Sequence, residues 1–285
     1  MIPKVVIITT KKGFRYGDFV AKEINLRGFR CELTRLGEVF DLLVGKRYVP
    51  EETLIHTRTA SPVRVYKALK RLEKDGYRVI NKADTVKRTS DKFLACQLAL
   101  KKGIVSPKVW RIRKEDEQMV KEKVVQVGKV VVKPITSQEA GKYCFAFNKD
   151  NLQEVVEKMA LMPNRDLFLQ EFVDYQRLYR VIVIGFQALE EAVFYDEPKQ
   201  SWKASVCLNP SLSHEKNPSK ELLVLAEKIS RLFEAEICFI DIFQTKKDWV
   251  LNEINTACSL IIHERKSKFN ISARIAEYLI SQIRI

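Results

Sequence analysis

Two carboxylates and an amide fall on one face of a predicted hairpin near the end of the chain. Apolar runs that start at Ile237 and end at Asn255 flank a polar stretch at Thr245–Asp248, where we expect the turn. Because side chains alternate along a strand, Glu253 and Asn255 share a face, and the hairpin brings Asp241 near them. Carboxylate and amide oxygens suit Mg²⁺ when nucleotide phosphates complete its shell. The pattern therefore indicates a magnesium and nucleotide site.

The alternative interpretation is a solvent-facing polar stripe on an antiparallel sheet. Asp241 weakens it, because this residue interrupts the apolar residues Phe239, Ile240, Ile242 and Phe243. An unpaired carboxylate would be costly in such a strand. A metal ligand is the favoured role for Asp241.

Two lysines are placed where an anion could bind. Lys133 lies in the apolar run Val130–Pro134, and a lysine leaving such a strand either reaches for solvent or holds an anion. Lys92 lies in Thr89–Lys92 at a predicted helix start, where backbone amides also favour anions. A predicted strand at Leu169–Val173 has backbone groups that could bind the edge of a flat base. Taken alone, each lysine is more often a surface residue than a ligand.

Cysteine and histidine chemistry is not indicated. The six cysteines form no C-x-x-C pair, and no histidine has metal-ligand spacing to a cysteine or another histidine. These residues are Cys31, Cys96, Cys144, Cys207, Cys238, Cys258, His56, His214 and His263. Neither zinc nor a Cys–His nucleophile pair is supported. The cysteine pattern, and an N-terminal run typical of a first strand rather than a signal peptide, favour a reduced, cytoplasmic chain.

The charge of the chain is unevenly distributed. Its 285 residues carry 50 Lys and Arg against 36 Asp and Glu, a net charge of +14, of which the first 90 residues contribute +10. Such a surface attracts an acidic partner: nucleic acid, a polyanionic small molecule or an acidic carrier protein. A well-solvated basic surface explains the excess equally well. No stretch approaches the roughly 20 apolar residues of a membrane span, so no membrane association is expected.

The first 88 residues are predicted to form a doubly wound α/β domain. Strands at Val5–Thr9 and Thr53–Thr57 alternate with helices at Asp18–Leu26 and Val63–Asp75. The glycines after the first strand do not form the dinucleotide fingerprint G-x-G-x-x-G, so a nicotinamide cofactor is not expected.

Two α+β units are predicted to follow, over residues 89–173 and 174–285. In the first we expect a helix capped by Ser90, strands at Lys108–Ile112, Val130–Lys133 and Leu167–Phe172, and a helix at Asn151–Met162. In the second we expect a strand at Tyr179–Ile184, a helix at Ser219–Phe233, the hairpin, and a last helix at Ser272–Ile283.

The order of the motifs along the chain is more specific than any one of them. In chain order they are Asn81, Ser90–Lys92, Lys133–Pro134, Gln170–Glu171, Arg180, Asp241 and Glu253–Asn255. This order resembles the ATP-grasp superfamily, and most of all the RimK-type and LysX-type carboxylate–amine ligases, over roughly residues 78 to 260. The resemblance implies an ATP-grasp fold, in which two α+β subdomains hold ATP between them and the N-terminal α/β domain helps to bind the acceptor.

The resemblance also implies roles for the nucleotide-site residues. Lys92 and Lys133 would contact the ATP phosphates. Gln170, Glu171 and Val173 would lie at the adenine, the last two through backbone groups.

A second group of residues would act on the transferred phosphoryl group. Asp241, Glu253 and Asn255 would bind Mg²⁺, or Mn²⁺ in its place, and Arg180 and Lys203 would stabilise the phosphoryl group. This set is coherent, because phosphoryl transfer requires mainly positioning and charge neutralisation.

The implied activity is ADP-forming carboxylate–amine ligation. A substrate carboxylate attacks the γ-phosphate of ATP, and an amino acid or other amine captures the acyl phosphate as an amide. Arg58 and Arg64, in the basic N-terminal domain, would bind an acidic small molecule or carrier protein as the acceptor. The identity of the acceptor and of the amine, and a homo-oligomeric state, are left open by the sequence.

Several positions depart from the family pattern. The loop Ile135–Lys142 holds one glycine and the acidic Glu139, where these ligases have a glycine-rich loop over the phosphates. Leu178 and Tyr195 stand where the family has an aspartate and an arginine. The alternative function is a catalytically weakened nucleotide-binding or nucleic-acid-binding module on the same fold, although no RNA- or DNA-recognition motif is visible.

Overall fold

The computed structural model describes residues 4–9, 17–45, 48–59, 62–136, 143–164, 166–196, 212–258, 260, 264–265 and 268–283. Its strands are β1 (Lys4–Thr9), β2 (Arg30–Arg35), β3 (Thr53–Thr57), β4 (Arg78–Ile80), β5 (Val109–Ile112), β6 (Lys129–Pro134), β7 (Phe145–Asn148), β8 (Leu167–Glu171), β9 (Arg177–Ile184), β10 (Gln187–Asp196), β11 (Ser213–Lys216), β12 (Ile237–Gln244) and β13 (Trp249–Asn255). Its helices are α1 (Asp18–Leu26), α2 (Val39–Gly45), α3 (Pro62–Lys74), α4 (Ala83–Ser90), α5 (Lys92–Lys101), α6 (Glu117–Val127), α7 (Val155–Ala160), α8 (Lys220–Phe233) and α9 (Ile271–Ser281). Within these ranges, every helix is too short or too polar to cross a membrane.

The first sheet is parallel, in the order β2-β1-β3-β4, with helices on both faces. Along β1, Val5 and Ile7 pack with α1 and α9, whereas Val6 and Ile8 pack with α2 and α3. A strand buried on both faces requires an unbroken apolar run, and these four side chains are 0% exposed. The predicted doubly wound α/β architecture is confirmed in this sheet.

The second sheet is antiparallel, in the order β5-β8-β6-β7. Val130 and Val132 of β6 face a core formed with α6 and α7, and Leu169 of β8 joins them. Because side chains alternate, Lys133 and Gln170 lie on the opposite face of the same two strands. The sheet thus delivers both polar side chains to one surface.

The third sheet is antiparallel, in the order β11-β10-β9-β12-β13. One face is apolar throughout and packs on α8 and α5, with Val181 and Ile240 at its centre. The other face is divided. Ile182 and Phe239 pack into the core of the first sheet, whereas Arg180 and its neighbours form a polar area beside them.

Asn81 fixes the first sheet to the third. Its amide nitrogen donates to the carbonyl of Ile237 at 2.7 Å, and its amide oxygen accepts from the backbone N–H of Ile237 at 3.0 Å. Thr85 adds a hydrogen bond from its hydroxyl to the carbonyl of Glu234 at 3.0 Å. Asn81 therefore substitutes for a strand partner at the start of β12.

Two predicted details of the helices were wrong. Asp91, not Ser90, caps α5, because its carboxylate accepts the backbone N–H of Leu94 at 2.9 Å, while Ser90 is the last residue of α4. The helix expected at Asn151–Met162 begins as a 3-10 segment at Lys149–Glu154 and is α-helical only over α7.

His56 makes folding stability depend on pH. The ring is fully buried, and Nδ1 donates to the carbonyl of Ile80 at 2.6 Å. Burial, helped by the nearby Arg58 cation, lowers its pKa from 6.5 to about 3. Below pH 6.5 the His56 ring therefore binds a proton in the unfolded chain but not in the folded chain. The free energy of unfolding accordingly falls as the pH drops from 6.5 towards 3.

We expect this single histidine to cost the folded state about 2 kcal/mol between pH 7 and pH 5. His56→Asn keeps a donor for the Ile80 carbonyl but cannot titrate, so the variant should lack that part of the loss. Urea unfolding of both proteins at the two pH values measures the difference. Equal losses of unfolding free energy in wild type and His56→Asn would contradict the assignment of this pH dependence to His56.

Candidate functional site

Three strands of the third sheet bring the predicted metal ligands together. In the strand register, Asp241 of β12 stands opposite Glu253 of β13 on one side and opposite Arg180 of β9 on the other. Asn255 lies two residues beyond Glu253, on the same face. Because Asp241 occupies a central strand, cross-strand pairing alone gathers this constellation.

Arg180 and Asp241 form a buried, bidentate ion pair. Nε lies 2.6 Å from one carboxylate oxygen, and Nη2 lies 2.7 Å from the other. The Asp241 side chain is 5% exposed and that of Arg180 is 12% exposed. Burial raises the pKa of Asp241 to about 6, against the opposing effect of the Arg180 charge. An unpaired carboxylate in the apolar strand β12 would be destabilising, and Arg180 supplies the charged partner that Asp241 needs.

Glu253 is held by a lysine and an amide. The ammonium of Lys92 lies 2.9 Å from Oε2, and the side-chain nitrogen of Asn255 donates to Oε1 at 3.0 Å. Burial acts to raise the pKa of Glu253, but Lys92 and Asn255 more than offset it, so the pKa lies below its usual value. Glu253 is therefore ionised at neutral pH.

Helix α5 and strand β6 position the two predicted phosphate lysines. Lys92 is the first residue of α5, and its backbone N–H donates to the carbonyl of Ile135, just after β6. Lys133 donates to the side-chain oxygen of Gln170 at 2.7 Å. Gln170 is 4% exposed. The two ammonium groups thus come from different elements that meet beside the third sheet.

Glu171 and Val173 lie where the second sheet passes to the third. The backbone N–H of Glu171 donates to the carbonyl of Lys108 at 2.9 Å. Val173 packs against the apolar cluster that includes Tyr175 and Phe243. The segment that the sequence assigned to base recognition therefore joins the two sheets.

Other predicted residues are placed differently. Arg58 follows β3, is 0% exposed, and donates to the backbone carbonyl of Cys258, so its guanidinium is not on the surface. Arg64 lies in α3, but its side chain lies outside the described residues. Lys203, and the part of the Ile135–Lys142 loop from residue 137, also lie outside them.

Tyr195 belongs to the site although the sequence assigned it no role. It lies on β10 opposite Leu178 and is 2% exposed. Burial raises the pKa of its phenol, and the phenol interacts electrostatically with Asp241 and Arg180. Strand β10 was not predicted, so no sequence signal placed Tyr195 on the same face. The phenol stays neutral at physiological pH.

The donor set fits Mg²⁺ bound together with phosphate oxygens. Within the described part of the chain, no group of three or more His, Cys, Asp or Glu side chains is arranged to hold a metal. Asp241, Glu253 and Asn255 would offer two carboxylates and one amide oxygen on one sheet face, a set that would suit a metal sharing its shell with a substrate and water. Arg180 and Lys92 pair with these carboxylates, and Lys133 pairs with Gln170 on the second sheet; all three cations would suit the charge of the phosphates.

Comparison with known proteins identifies the class. Residues 89–279 match the model of the RimK-like ATP-grasp domain, and the chain belongs to this family. The ATP-grasp fold is also that of known structures: ATP-grasp ligase PsnB has a TM-score of 0.74 at 14% identity, covering 99% of this chain and 100% of that one. D-alanine–D-alanine ligase from Bacillus anthracis has a TM-score of 0.71 at 12% identity, and the match covers 99% of this chain and 97% of that one.

Two relatives are similar over most of their length. Coenzyme γ-F420-2:α-L-glutamate ligase of Methanocaldococcus jannaschii is 29% identical over 245 residues, which are 82% of this chain and 83% of that protein. α-Aminoadipate–LysW ligase LysX of Sulfurisphaera tokodaii is 27% identical over 220 residues, 73% of this chain and 72% of that protein. The predicted ligase function is confirmed: the protein is an ATP-dependent carboxylate–amine ligase that forms a C–N bond and uses ATP and Mg²⁺.

We expect Arg180→Met to destabilise the fold by roughly 3–5 kcal/mol, because it leaves Asp241 buried without its partner. Arg177, on the same strand, is the matched control. It forms an ion pair with Asp196, and the two side chains are 43% and 72% exposed, respectively. Arg177→Met should cost no more than about 1 kcal/mol. Chemical denaturation measures both.

The double variant Arg180→Met/Asp241→Asn separates the ion pair from simple packing. It should recover part of the stability lost in Arg180→Met, since the buried charge is gone. No recovery would contradict the electrostatic explanation.

Proposed function

We propose that this ligase joins the amino group of an amino acid to a carboxylate of an acidic small molecule or carrier protein. The observation that carries the proposal is the polar face where Arg180, Asp241, Glu253 and Lys92 pair with one another. Each metal-ligating carboxylate is already balanced by a cation suited to phosphate. The site is thus arranged to exchange these internal pairs for a metal and a nucleotide.

The roles we assign follow from this exchange. Asp241, Glu253 and the amide oxygen of Asn255 would hold Mg²⁺, or Mn²⁺, whose oxygen-ligand preferences are similar. The metal would neutralise charge on the phosphates as the acyl phosphate forms. Lys92 and Lys133, once released from Glu253 and Gln170, would hold phosphate oxygens.

Phosphoryl stabilisation would fall to Arg180 and Lys203, the family-pattern residues. Arg180 is rigidly held by Asp241, so a phosphoryl group approaching that metal ligand would meet a fixed guanidinium. No protein nucleophile is required, because the substrate carboxylate itself attacks the γ-phosphate.

Base recognition would use the segment that ends β8. The Glu171 backbone N–H is engaged by the Lys108 carbonyl, so we assign the Glu171 carbonyl and the Val173 N–H to the adenine edge. Gln170, bound to Lys133, would link base recognition to the phosphate lysine.

The acidic acceptor is supported by charge. The names of both relatives include an acidic amino acid, L-glutamate in one and α-aminoadipate in the other, which supports an acidic amino acid as one of the two substrates. The first 90 residues hold the +10 excess, although Arg30 and Lys70 already pair with Glu32 and Asp84. Arg64 and the basic residues outside the described ranges would supply the remaining attraction.

A reducing compartment suits this assignment. The described cysteines Cys31, Cys96, Cys144, Cys238 and Cys258 are free thiols. Because free thiols persist in reducing surroundings, we place the ligase in the cytoplasm.

Magnesium binding should depend on nucleotide, because Glu253 is neutralised by Lys92 in the ligand-free protein. We expect a non-hydrolysable ATP analogue with Mg²⁺ to raise the melting temperature well above Mg²⁺ alone. Lys92→Met should lose most of the nucleotide response and gain a response to Mg²⁺ alone. Glu253→Gln is the control that should lose the magnesium dependence. Equal responses of Lys92→Met and wild type would contradict the exchange of ion pairs.

The acceptor class is tested by ADP release. Mixtures of ATP, Mg²⁺, an amino acid and a γ-glutamyl dipeptide should release ADP faster than mixtures in which all but one of the dipeptide's carboxylates are amidated. Mass spectrometry should show the product heavier by one amino acid less one water. Equal rates with the amidated peptide would refute an acidic acceptor without affecting the ligase assignment.

A further inference from the structure

Arg58 ends inside the protein rather than at its surface. It comes directly after β3, and its backbone N–H donates to the carbonyl of Ile8 at 2.8 Å, so the chain is still held to β1 at this residue. Its side chain is 0% exposed. A guanidinium buried without good partners would strongly destabilise the fold, so its partners have a structural role.

Two of the contacts of Arg58 lie at one end of the hairpin that carries the proposed metal ligands. Nη2 donates to the backbone carbonyl of Cys258, which lies three residues beyond Asn255. The guanidinium carbon lies 5.3 Å from the ring centre of Phe239. Phe239 stands opposite Asn255 in the strand register and two residues before Asp241. The Arg58 side chain therefore contacts one arm of the hairpin at Phe239 and, at Cys258, the segment that follows the other arm.

The segment after Asn255 is anchored on the first sheet at two points. Leu260 is 0% exposed in the core that contains Val5 and Leu54 of that sheet. Cys258 is held by Arg58, and its thiol interacts electrostatically with Arg180 and Asp241 as well as with Arg58. Cys258 thus lies close to the Arg58 guanidinium and within electrostatic reach of the Arg180–Asp241 pair.

We infer that Arg58 is a positioning residue for the metal centre: it fixes Phe239 and Cys258, and through them the orientation of Asp241 and Asn255. This inference rests on the proposed roles of Asp241, Glu253 and Asn255 as the Mg²⁺ ligands. It assigns Arg58 to the metal site through a second layer of contacts, rather than to direct contact with the acceptor. The contact also links the domain that would bind the acceptor to the ligands of the metal.

The test measures the Mg²⁺ concentration that gives half of the stabilisation by a non-hydrolysable ATP analogue. Arg58→Met keeps the length of the side chain but removes its donors and charge. We expect it to raise that concentration about 10-fold to 100-fold, the usual effect of removing a group that orients a metal ligand. Binding of the analogue in the presence of a chelator should stay close to that of wild type. Arg58→Lys keeps the charge and a donor group, so its half-stabilising Mg²⁺ concentration should lie between those of wild type and Arg58→Met.

Arg78→Met is the matched control. Arg78 also joins the first sheet to the C-terminal part of the chain, through an ion pair with Glu236 at 2.6 Å, but Glu236 lies just before β12 and five residues before Asp241. This variant should leave the Mg²⁺ concentration unchanged. If both variants shift it equally, Arg58 is only a contact between sheets and the inference is overturned.

Two further outcomes are decisive. If Arg58→Met raises only the KM for the acceptor, Arg58 binds the acceptor directly and the inference is overturned. If Arg58→Met does not fold, the shift in Arg58→Lys decides, with an unshifted response overturning the inference. Failure of the proposed metal site is recognised separately, because the wild-type protein itself would then show no Mg²⁺ dependence.

Discussion

The site depends on one constraint: carboxylates buried in a sheet, such as the proposed metal ligands Asp241 and Glu253, need a nearby cation to stay ionised. The bidentate pair of Arg180 with Asp241 meets this constraint at the centre of the third sheet, and Lys92 does the same for Glu253. Each pair places a cation beside a proposed metal ligand. The polar face therefore carries each of these buried carboxylates with a compensating cation.

Each sheet contributes to this arrangement by alternation. The third sheet turns one face to α8 and α5 and leaves the other for ionised side chains, while the second sheet turns Lys133 and Gln170 away from its helices. The first sheet holds the assembly in register through Asn81, which binds the start of β12. Asn81 thus ties the first sheet to the strand that carries Asp241 four residues further along.

Much of the fold could be predicted because its signals are local. The unbroken apolar run of β1 and the alternation of the hairpin are each visible within ten residues. The sequence did not predict helix α6, because its only buried residues are Val120 and Val124, and two residues are too few to show a helical hydrophobic periodicity. Strand β10 was missed because a register shift between Ala188 and Ala192 interrupts its alternation.

The sequence by itself determined the family and the face shared by Asp241, Glu253 and Asn255, since alternation along a hairpin follows from local geometry. Only the tertiary structure decided which cation each carboxylate meets, because Lys92 and Arg180 come from elements far away in the chain. It also decided that Arg58 is buried. A basic residue after a strand is ordinarily solvated, and only packing of the first sheet against the hairpin encloses this one.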